Sequence, residues 1–314
     1  MTLSQLRAFV EVAVTGSVRQ AAAHLLVSQP AVSAAVTALS RDLGVPLVAR
    51  DGRGLELTAA GRVFAGYARQ VLGLLDEARG AAAGQLHPER GRVRLAAVTT
   101  AGEHVLPPYL AAFRARCPEA EMTLEVGNRN RVWELLSYRE VDLVIGGRPP
   151  AAGRFATVAT RANRLVVVAP RSDGPEPTNA EAERPLPRTV TVAELAERVW
   201  LVREPGSGTR GTAEELFEDL GISPPTLTLG SNGAIRESVR AGLGVTLISR
   251  DAVARELRLG ALEEWRGPGL PLERSWHVVG RADEELAPTA ALFLERLVSP
   301  GVVAGTEQFH RVED

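Results

Sequence analysis

Glycine and hydroxyl residues at positions 203–210 are suited to binding an anion. The stretch reads Arg-Glu-Pro-Gly-Ser-Gly-Thr-Arg. It follows a predicted strand over 199–202 and opens a predicted helix over 209–220. The first amides of a helix have no intrahelical acceptor, and the helix dipole adds partial positive charge there. The stretch therefore predicts a site for a carboxylate, sulfate or phosphate, although simple helix capping would also explain Ser207 and Thr209.

A second stretch of this kind follows the first predicted strand of the same region. Thr99 and Thr100 stand between a strand over 92–100 and a helix from about Glu103. Because strand ends and helix starts meet at one edge of an α/β sheet, we expect the two stretches to face each other across a cleft. Two further strands end in Asn, which is equally common as a turn residue. The predicted anion-binding residues are Thr99, Thr100, Ala101, Gly127, Asn128, Ser207, Gly208, Thr209 and Asn232.

The same glycines also match the dinucleotide-binding pattern Gly206-x-Gly208-x-x-Gly211. A nicotinamide-dependent oxidoreductase would place an acidic residue at a strand end about 20 residues further on, where this sequence has Gly230-Ser231. The histidines lack metal-ligand spacing and Cys117 stands alone. We therefore expect no enzyme activity, no cofactor and no metal site. A solute-binding protein is a second alternative, which residues 1–83 and the absence of an export signal disfavour.

The elements that must position these residues are strands alternating with helices from Arg92 onward. This alternation predicts parallel α/β sheets, and the length of the region suits two small subdomains. The predicted strands cover residues 92–100, 122–127, 142–146, 164–169, 199–202, 226–229, 245–249 and 275–280. The Pro-rich insertion 172–188 is interpreted as a flexible loop.

Two short helices joined by a tight turn are predicted near the N-terminus. Ser17 and Gln20 fit a capping box that opens a helix over 18–26, and Ser28 caps a second helix. The core stripe of that second helix is Val32, Val36, Leu39 and Leu43. Its opposite face carries small or hydrogen-bonding side chains, which suit the major groove of DNA. This face carries Pro30, Ala34, Thr37 and Arg41, with Gln29 and Ser33 on its shoulders. The predicted DNA contacts of the segment are Ser28, Gln29, Pro30, Ser33, Ala34 and Thr37.

A glycine-punctuated loop, Arg-Asp-Gly-Arg-Gly, occupies residues 50–54. A generic three-helix unit would explain the helix caps, but it has no structural need for Arg50 and Arg53 at a loop tip. We therefore predict a winged helix-turn-helix in which both arginines contact DNA. Residues 1–91 hold nine Arg against seven acids, so binding would depend on focused contacts by several copies rather than on a broad basic field.

A long helical pattern begins after Thr58, and its apolar residues alternate steps of 4 and 3, as in a heptad repeat. A helix of about 25 residues is about 37 Å long, too exposed on its own for so apolar a stripe. We predict that residues 59–83 pair with the same helix of a second subunit; packing within the chain is the alternative. Residues 84–91, with Pro88, are interpreted as a hinge. The predicted interface residues are Phe64, Tyr67, Val71 and Leu74.

These elements together resemble the LysR-type transcriptional regulators. The matching residues are Ser-Gln-Pro-Ala-Val-Ser at 28–33, Leu-Gly-Val-Pro-Leu at 43–47, Arg50, Arg53 and Leu-Thr-Ala-Ala-Gly at 57–61. In that family the recognition helix reads the major groove and the wing Arg enters the flanking groove. The implied base contacts are Gln29, Pro30, Ser33 and Arg53, with Arg50 on backbone phosphate. The chain departs from the family at Ala34, often a long polar or basic residue, and at Val48, usually part of a Leu-Phe pair.

The resemblance also implies the architecture, an α+β multidomain chain. A winged helix-turn-helix over 1–58 and a linker helix over 59–83 would precede an effector-binding domain over 92–298, similar to a periplasmic binding protein. Its subdomain I would comprise 92–162 and 268–298, its subdomain II 163–267, and 299–314 would be a tail. Gly-Ser-Gly-Thr-Arg resembles regulators of sulfur assimilation and carbon fixation, which favours a small anionic effector. The implied partners are double-stranded DNA, further copies of the chain as a dimer or tetramer, and RNA polymerase.

Composition agrees with a soluble cytoplasmic protein that does not enter a membrane. The formal net charge is −2, there is one Cys, and no apolar run is long enough to span a bilayer. Aromatic residues make up 4% of the chain, too few to favour stacking on single-stranded nucleic acid. The effector, the operator, the direction of regulation and the choice between dimer and tetramer stay open at the level of sequence.

Overall fold

The computed structural model describes residues 1–51, 54–171, 187–282, 284–303 and 307–312. Two predictions fall wholly or mostly on other residues. The predicted DNA contact Arg53 lies outside the described residues, and so do residues 172–186 of the Pro-rich insertion.

Three helices and a two-stranded hairpin form the N-terminal domain. They are α1 (Leu3–Thr15), α2 (Val18–Leu25), α3 (Gln29–Leu43), β1 (Val48–Asp51) and β2 (Gly54–Leu57). Apolar residues of all three helices pack around Phe9 and Leu39, which are fully buried. Helices α2 and α3 are bent by 109° relative to each other, and the small buried residues Ala21 and Ala22 permit this close crossing. The predicted helix-turn-helix is confirmed.

No single helix in the described ranges is both long and apolar enough to cross a membrane. The bent pair of α2 and α3 meets that test only when its two helices are taken together.

Three local predictions for this domain are corrected. Helix α2 ends at Leu25 because Leu26 takes a left-handed φ of 56° as the C-cap. Ser17 Oγ accepts from the Gln20 amide at 3.4 Å, but the return bond of a capping box is absent between these two described residues. Leu43, predicted in the core stripe, is 37% exposed because α3 ends there, beside the left-handed C-cap Gly44.

A single long helix, α4 (Ala59–Gly84), follows the hairpin. Thr58 caps it, since the Thr58 Oγ1 accepts from the Gly61 amide at 2.9 Å. Its 26 residues extend about 39 Å. A short 3-10 turn, Pro88–Arg90, lies in the predicted hinge and leads into the C-terminal domain.

The C-terminal domain begins with three parallel strands. These strands and their connecting helices are β3 (Arg92–Val98), α5 (Leu106–Arg116), β4 (Glu121–Gly127), α6 (Arg129–Ser137) and β5 (Leu143–Gly146). Strand β3 lies between β4 and β5 and is parallel to both. A π-helical turn, Ala101–Val105, precedes α5.

The chain then crosses to a second half of the domain and back. The first crossing strand is β6 (Phe155–Pro170). The second half contains β7 (Arg188–Thr189), α7 (Val192–Glu197), β8 (Trp200–Val202), α8 (Gly208–Leu220), β9 (Thr226–Thr228), α9 (Asn232–Arg240), β10 (Thr246–Ser249), α10 (Ala254–Leu259) and β11 (Leu262–Arg266). The return strand is β12 (Leu272–Arg281), followed by α11 (Pro288–Leu297) and β13 (His310–Arg311).

The main sheet is mixed, which corrects the prediction of parallel sheets. Its path is β4-β3-β5-β12-β6-β11-β7, with β10 and β13 also paired to β6, while β8 and β9 form a separate parallel pair. Strand β6 is antiparallel to β10, β11, β12 and β13. The first part of β6 was missed because residues 155–163 carry few large apolar side chains and are mostly half-buried.

Residues 307–312, predicted as part of a tail, pack on the first half of the domain. Phe309 is fully buried and lies edge-on to Tyr109, with ring centroids 5.5 Å apart. The Tyr109 hydroxyl and Arg161 Nε donate to the Glu307 carbonyl oxygen at 3.1 and 2.8 Å. Strand β13 pairs with β6 opposite Thr160 and Ala159. The tail prediction is therefore wrong for these residues, which complete the core of the domain.

Candidate DNA-binding face and anion cleft

Helix α3 turns the predicted DNA-contacting residues toward solvent. Exposed on it are Gln29, Pro30, Ser33, Ala34 and Thr37. Val32, Val36 and Leu39 of the same helix are buried. Ser28 has a structural role as well, because its Oγ accepts from the Ala31 amide at 3.3 Å and so caps the helix. The result is an exposed helix face of short side chains, as entry into a major groove requires.

The hairpin after α3 is held firmly at its base. Thr58 Oγ1 donates to the Pro46 carbonyl oxygen at 2.7 Å. A Cβ at Gly61 would overlap the Leu47 carbonyl oxygen, so only glycine lets α4 approach this closely. Arg50 lies on β1 opposite Leu55 on β2. The hairpin has the layout of a wing, and the DNA contacts of its two arginines stay predictions.

Three of the four predicted dimer residues on α4 face solvent. Tyr67, Val71 and Leu74 are 64%, 48% and 51% exposed. Phe64 instead packs against Phe9 of its own N-terminal domain, with ring centroids 5.6 Å apart. For Phe64 the structure thus shows packing within the chain. An apolar stripe on an exposed helix is typical of an interaction surface.

Another face of α4 contacts the C-terminal domain near the end of α6. The Arg69 guanidinium lies 3.9 Å from the Tyr138 ring centroid and donates to Glu134 and Glu140 at 2.7 and 2.6 Å. Burial opposes the charge of Arg69, but the two carboxylates outweigh this and raise its pKa. A Cβ at Gly73 would overlap the Tyr138 carbonyl oxygen. We call these five residues the linker clamp.

A cleft of about 1170 Å³ opens between the two halves of the C-terminal domain. Seven of the nine predicted anion-binding residues line it, namely Thr99, Thr100, Gly127, Asn128, Ser207, Gly208 and Thr209. Ala101 does not line it and is fully buried. The chain enters the π-helical turn there, and Gly102 packs so closely against Val126 that a Cβ would lie 2.7 Å from Val126 Cγ2.

Asn232 lies behind the wall of the cleft and is 1% exposed. Its Nδ2 donates to Thr100 Oγ1 at 2.9 Å, and its Oδ1 accepts from Arg203 Nη1 at 2.6 Å. Thr100 follows β3 in the first half, whereas Asn232 and Arg203 belong to the second half. Asn232 is therefore a buried bridge between the halves rather than a residue of the cleft surface.

The start of α8 offers hydrogen-bond donors to the cleft. Gly206 has a φ of 88°, a conformation that favours glycine. Ser207 holds the N-cap position, yet its side chain makes no capping hydrogen bond. The Thr209 hydroxyl likewise makes no hydrogen bond to the described part of the chain. Capping alone therefore does not explain Ser207.

Basic residues that sequence reasoning missed also line the cleft. Arg129 begins α6, Arg148 follows β5, and Arg274 and His277 lie on β12. Arg129 and Arg148 form no hydrogen bond or ion pair with the residues that the structure describes. Burial lowers the pKa of His277, and the positive charge of Arg148 lowers it further, so His277 is neutral at neutral pH. The sequence did carry a signal for two of them. Arg129 and Arg148 each stand two residues after the end of a strand, β4 and β5 respectively, and the ends of parallel strands lie at the edge where ligands bind.

Family models match both parts of the chain. Residues 3–62 match the bacterial regulatory helix-turn-helix protein, lysR family, and residues 87–299 match the LysR substrate binding domain. The exposed recognition helix and the cleft thus belong to a DNA-binding regulator with a ligand-binding domain.

Individual relatives agree over nearly the full length. The HTH-type transcriptional regulator CbbR of Xanthobacter flavus is 39% identical over 306 residues, which cover 96% of this chain and 88% of that protein. Full-length CbnR complexed with its target DNA gives a TM-score of 0.65 at 25% identity, covering 94% and 98% of the two chains. The Synechocystis CcmR regulatory domain in complex with 2-PG gives a TM-score of 0.57 at 28% identity, covering 65% of this chain and 94% of that chain. The chain belongs to the LysR family of bacterial transcriptional regulators.

Proposed function

We propose that this regulator binds a small metabolite with two anionic groups in its cleft, and that occupancy of the cleft changes binding to operator DNA. The observation that carries the proposal is two separate sets of unused donors, one on each wall. One set is the hydroxyls of Ser207 and Thr209 at the start of α8, and the other is the guanidinium groups of Arg129 and Arg148. A ligand with one anionic end would leave one set without a partner, which costs free energy in a partly desolvated cleft.

The two walls suit anions in different ways. At the start of α8, backbone amides and hydroxyls would bind a phosphate or carboxylate at the positive end of the helix dipole. At the other wall, the planar guanidinium groups of Arg129 and Arg148 would bind a carboxylate or phosphate through paired hydrogen bonds. A ligand that contacts both walls would bind best when the two halves of the domain lie close together. Its binding would therefore shift the population toward a closed form of the cleft. The similar CcmR domain was solved in complex with 2-PG, which is 2-phosphoglycolate. That molecule carries one phosphate and one carboxylate, so it supports a ligand with two anionic ends.

For DNA, we propose that the exposed face of α3 reads bases while the wing arginines Arg50 and Arg53 contact the flanking backbone and groove. A second copy would bind through Tyr67, Val71 and Leu74, which would present two recognition helices to one operator. The solved complex of the similar CbnR with its target DNA supports this mode. We further propose that the chain acts in the cytoplasm, where its DNA target lies, and catalyses no reaction; its relatives are transcriptional regulators.

Titration calorimetry on the full chain tests the effector proposal. The ligands are 2-phosphoglycolate, inorganic phosphate and glycolate, and we expect 2-phosphoglycolate to bind at least about tenfold more tightly than either one-ended anion, the scale of one charge-assisted hydrogen bond. Arg148→Met should reduce this difference, and Thr209→Val should weaken all phosphate binding. Arg79→Met, on exposed α4 surface outside the cleft, is the control. Equal binding of the three anions, or no effect of Arg148→Met, would contradict a two-ended ligand.

A further inference from the structure

A carboxylate of the protein already occupies one further anion receptor of the cleft, the guanidinium of Arg203. Arg203 and Glu204 both line the cleft. Arg203 Nε and Nη2 donate to the two carboxylate oxygens of Glu204 at 2.8 and 2.9 Å. The Arg203 side chain is 7% exposed, whereas that of Glu204 is 33% exposed. This two-point geometry is the one by which a guanidinium binds a ligand carboxylate or phosphate.

The rest of the Arg203 guanidinium is fixed by the protein interior. Its Nη1 donates to Asn232 Oδ1 at 2.6 Å, and Asn232 in turn donates to Thr100. Arg203 is thus anchored on the bridge between the halves and cannot turn away from the cleft without breaking buried hydrogen bonds. In the described residues the Glu204 carboxylate is held only by Arg203 and by its own backbone amide, both at the cleft surface. If one partner of this pair moves to admit a ligand, it is Glu204.

We propose that Glu204 is an internal competitor for the anionic effector: it covers Arg203 in the empty cleft, and the effector displaces it. This inference rests on the proposed function, since it concerns the same cleft. Hydrogen bonds from Arg203 lower the pKa of the Glu204 carboxyl, so the competitor is charged at neutral pH. The exchange of one carboxylate for another anion leaves the Arg203 contact to Asn232 in place. Glu204 therefore sets the effector concentration to which the regulator responds.

The test compares binding of inorganic phosphate and 2-phosphoglycolate to the full chain by calorimetry. Glu204→Gln removes the charge and should lower the Kd for both probes by about tenfold, the scale of one hydrogen bond to a charged group. Glu204→Asp keeps the charge but is too short for the same two-point contact, so it should also bind the probes several-fold more tightly. If the Gln variant does not fold, the Asp variant carries the test alone.

Glu215 provides a matched control within the same cleft. Its side chain is 67% exposed and lies 3.6 Å from Arg274 rather than on Arg203. Glu215→Gln removes the same charge and should change the Kd less than about twofold, because exposed pairs contribute little. An equal gain in Glu215→Gln would mean that general repulsion, and not cover of Arg203, limits affinity. A folded Glu204→Gln that binds no more tightly than wild type would overturn the inference.

The two proposals fail in different ways. If wild type binds 2-phosphoglycolate and Thr209→Val weakens it, the cleft is the effector site, and unchanged binding in Glu204→Gln then refutes only the competitor. If neither wild type nor Glu204→Gln binds either probe, the proposed effector class is refuted, and the proposal that Glu204 competes with the effector is refuted with it. Binding that is measurable in Glu204→Gln but not in wild type supports both.

Discussion

Replacement of Arg69 by Met should loosen the linker clamp and lower the stability of the full chain. The side chain of Arg69 is 13% exposed, and its guanidinium bonds to Glu134 and Glu140 and stacks on Tyr138. Loss of two hydrogen bonds to carboxylates and one cation–π contact costs about 3 kcal/mol together. The hydrogen bond to Glu134 is given a free-energy contribution at the low end of the usual range, because the Glu134 side chain is 43% exposed and solvent screens the pair. Methionine keeps the aliphatic packing, so the change isolates the charge.

Urea unfolding of the two proteins, followed by tryptophan fluorescence, measures this loss. Arg79→Met is the matched control, because Arg79 lies on the same helix, is 60% exposed and is 3.6 Å from Asp76. It should cost less than about 1 kcal/mol. Arg69→Lys should fall between the two, since an ammonium cannot bridge two carboxylates and stack on a ring as a guanidinium does. An Arg69→Met variant as stable as Arg79→Met would refute the assigned role of the clamp.

Three further outcomes follow from the exposed face of α3, the apolar stripe of α4 and an ion pair in which Arg161 lies 2.8 Å from Asp251. Gln29→Ala should weaken binding to the cognate operator by about 1 to 3 kcal/mol in fluorescence anisotropy, if Gln29 contacts an adenine edge through two hydrogen bonds. Tyr67→Asp places a charge in an apolar seam and should halve the mass of the dimer in light scattering. Burial opposes ionisation of Asp251, but hydrogen bonds from Arg161 outweigh this and lower its pKa; that stabilisation is complete above pH about 4 and is lost as acid protonates Asp251. Asp251→Asn should therefore flatten the fall of stability below pH about 4 in acid unfolding.

Each outcome has its own contradiction. Equal loss of binding to operator and to unrelated DNA in Gln29→Ala would show that Gln29 does not read a base. Tyr67→Phe should keep the wild-type mass, and a folded Tyr67→Asp of unchanged mass would move the interface elsewhere. An Asp251→Asn variant that loses stability in acid as steeply as wild type would show that Asp251 does not carry the effect.

The sequence was most informative where one local rule determines position. Residues 99–100, 127–128 and 207–209 line the cleft, as expected because strand ends and helix starts lie at one edge of an α/β fold; that they bind an anion stays a prediction. The exposed face of α3 followed from helical periodicity and from its cap at Ser28. These features depend on near neighbours in the chain, so the pattern of residue types was sufficient.

The sequence was least informative where contacts join distant segments. Arg203 was seen only as part of a loop motif, because its partner Asn232 and the further partner Thr100 are brought to it by the crossing of β6 and β12. Phe64 fitted the heptad pattern as well as Tyr67 does, and only the position of Phe9 shows which of the two turns inward. Periodicity gives the faces of a helix but not the element that covers each face.

The burial of Phe309 bears on the order in which the two domains complete their folding during synthesis. The N-terminal domain contains all its partners within the first part of the chain and can fold as soon as α4 is synthesised. The core of the C-terminal domain includes Phe309 and the Glu307 carbonyl oxygen that holds Tyr109 and Arg161, so it is completed only after residues 307–309 have been added. During synthesis a DNA-binding unit therefore exists before a finished sensor. A laboratory fragment that stops at residue 299, where the family match ends, would lack the Phe309 contact to Tyr109 and the Glu307 hydrogen bonds.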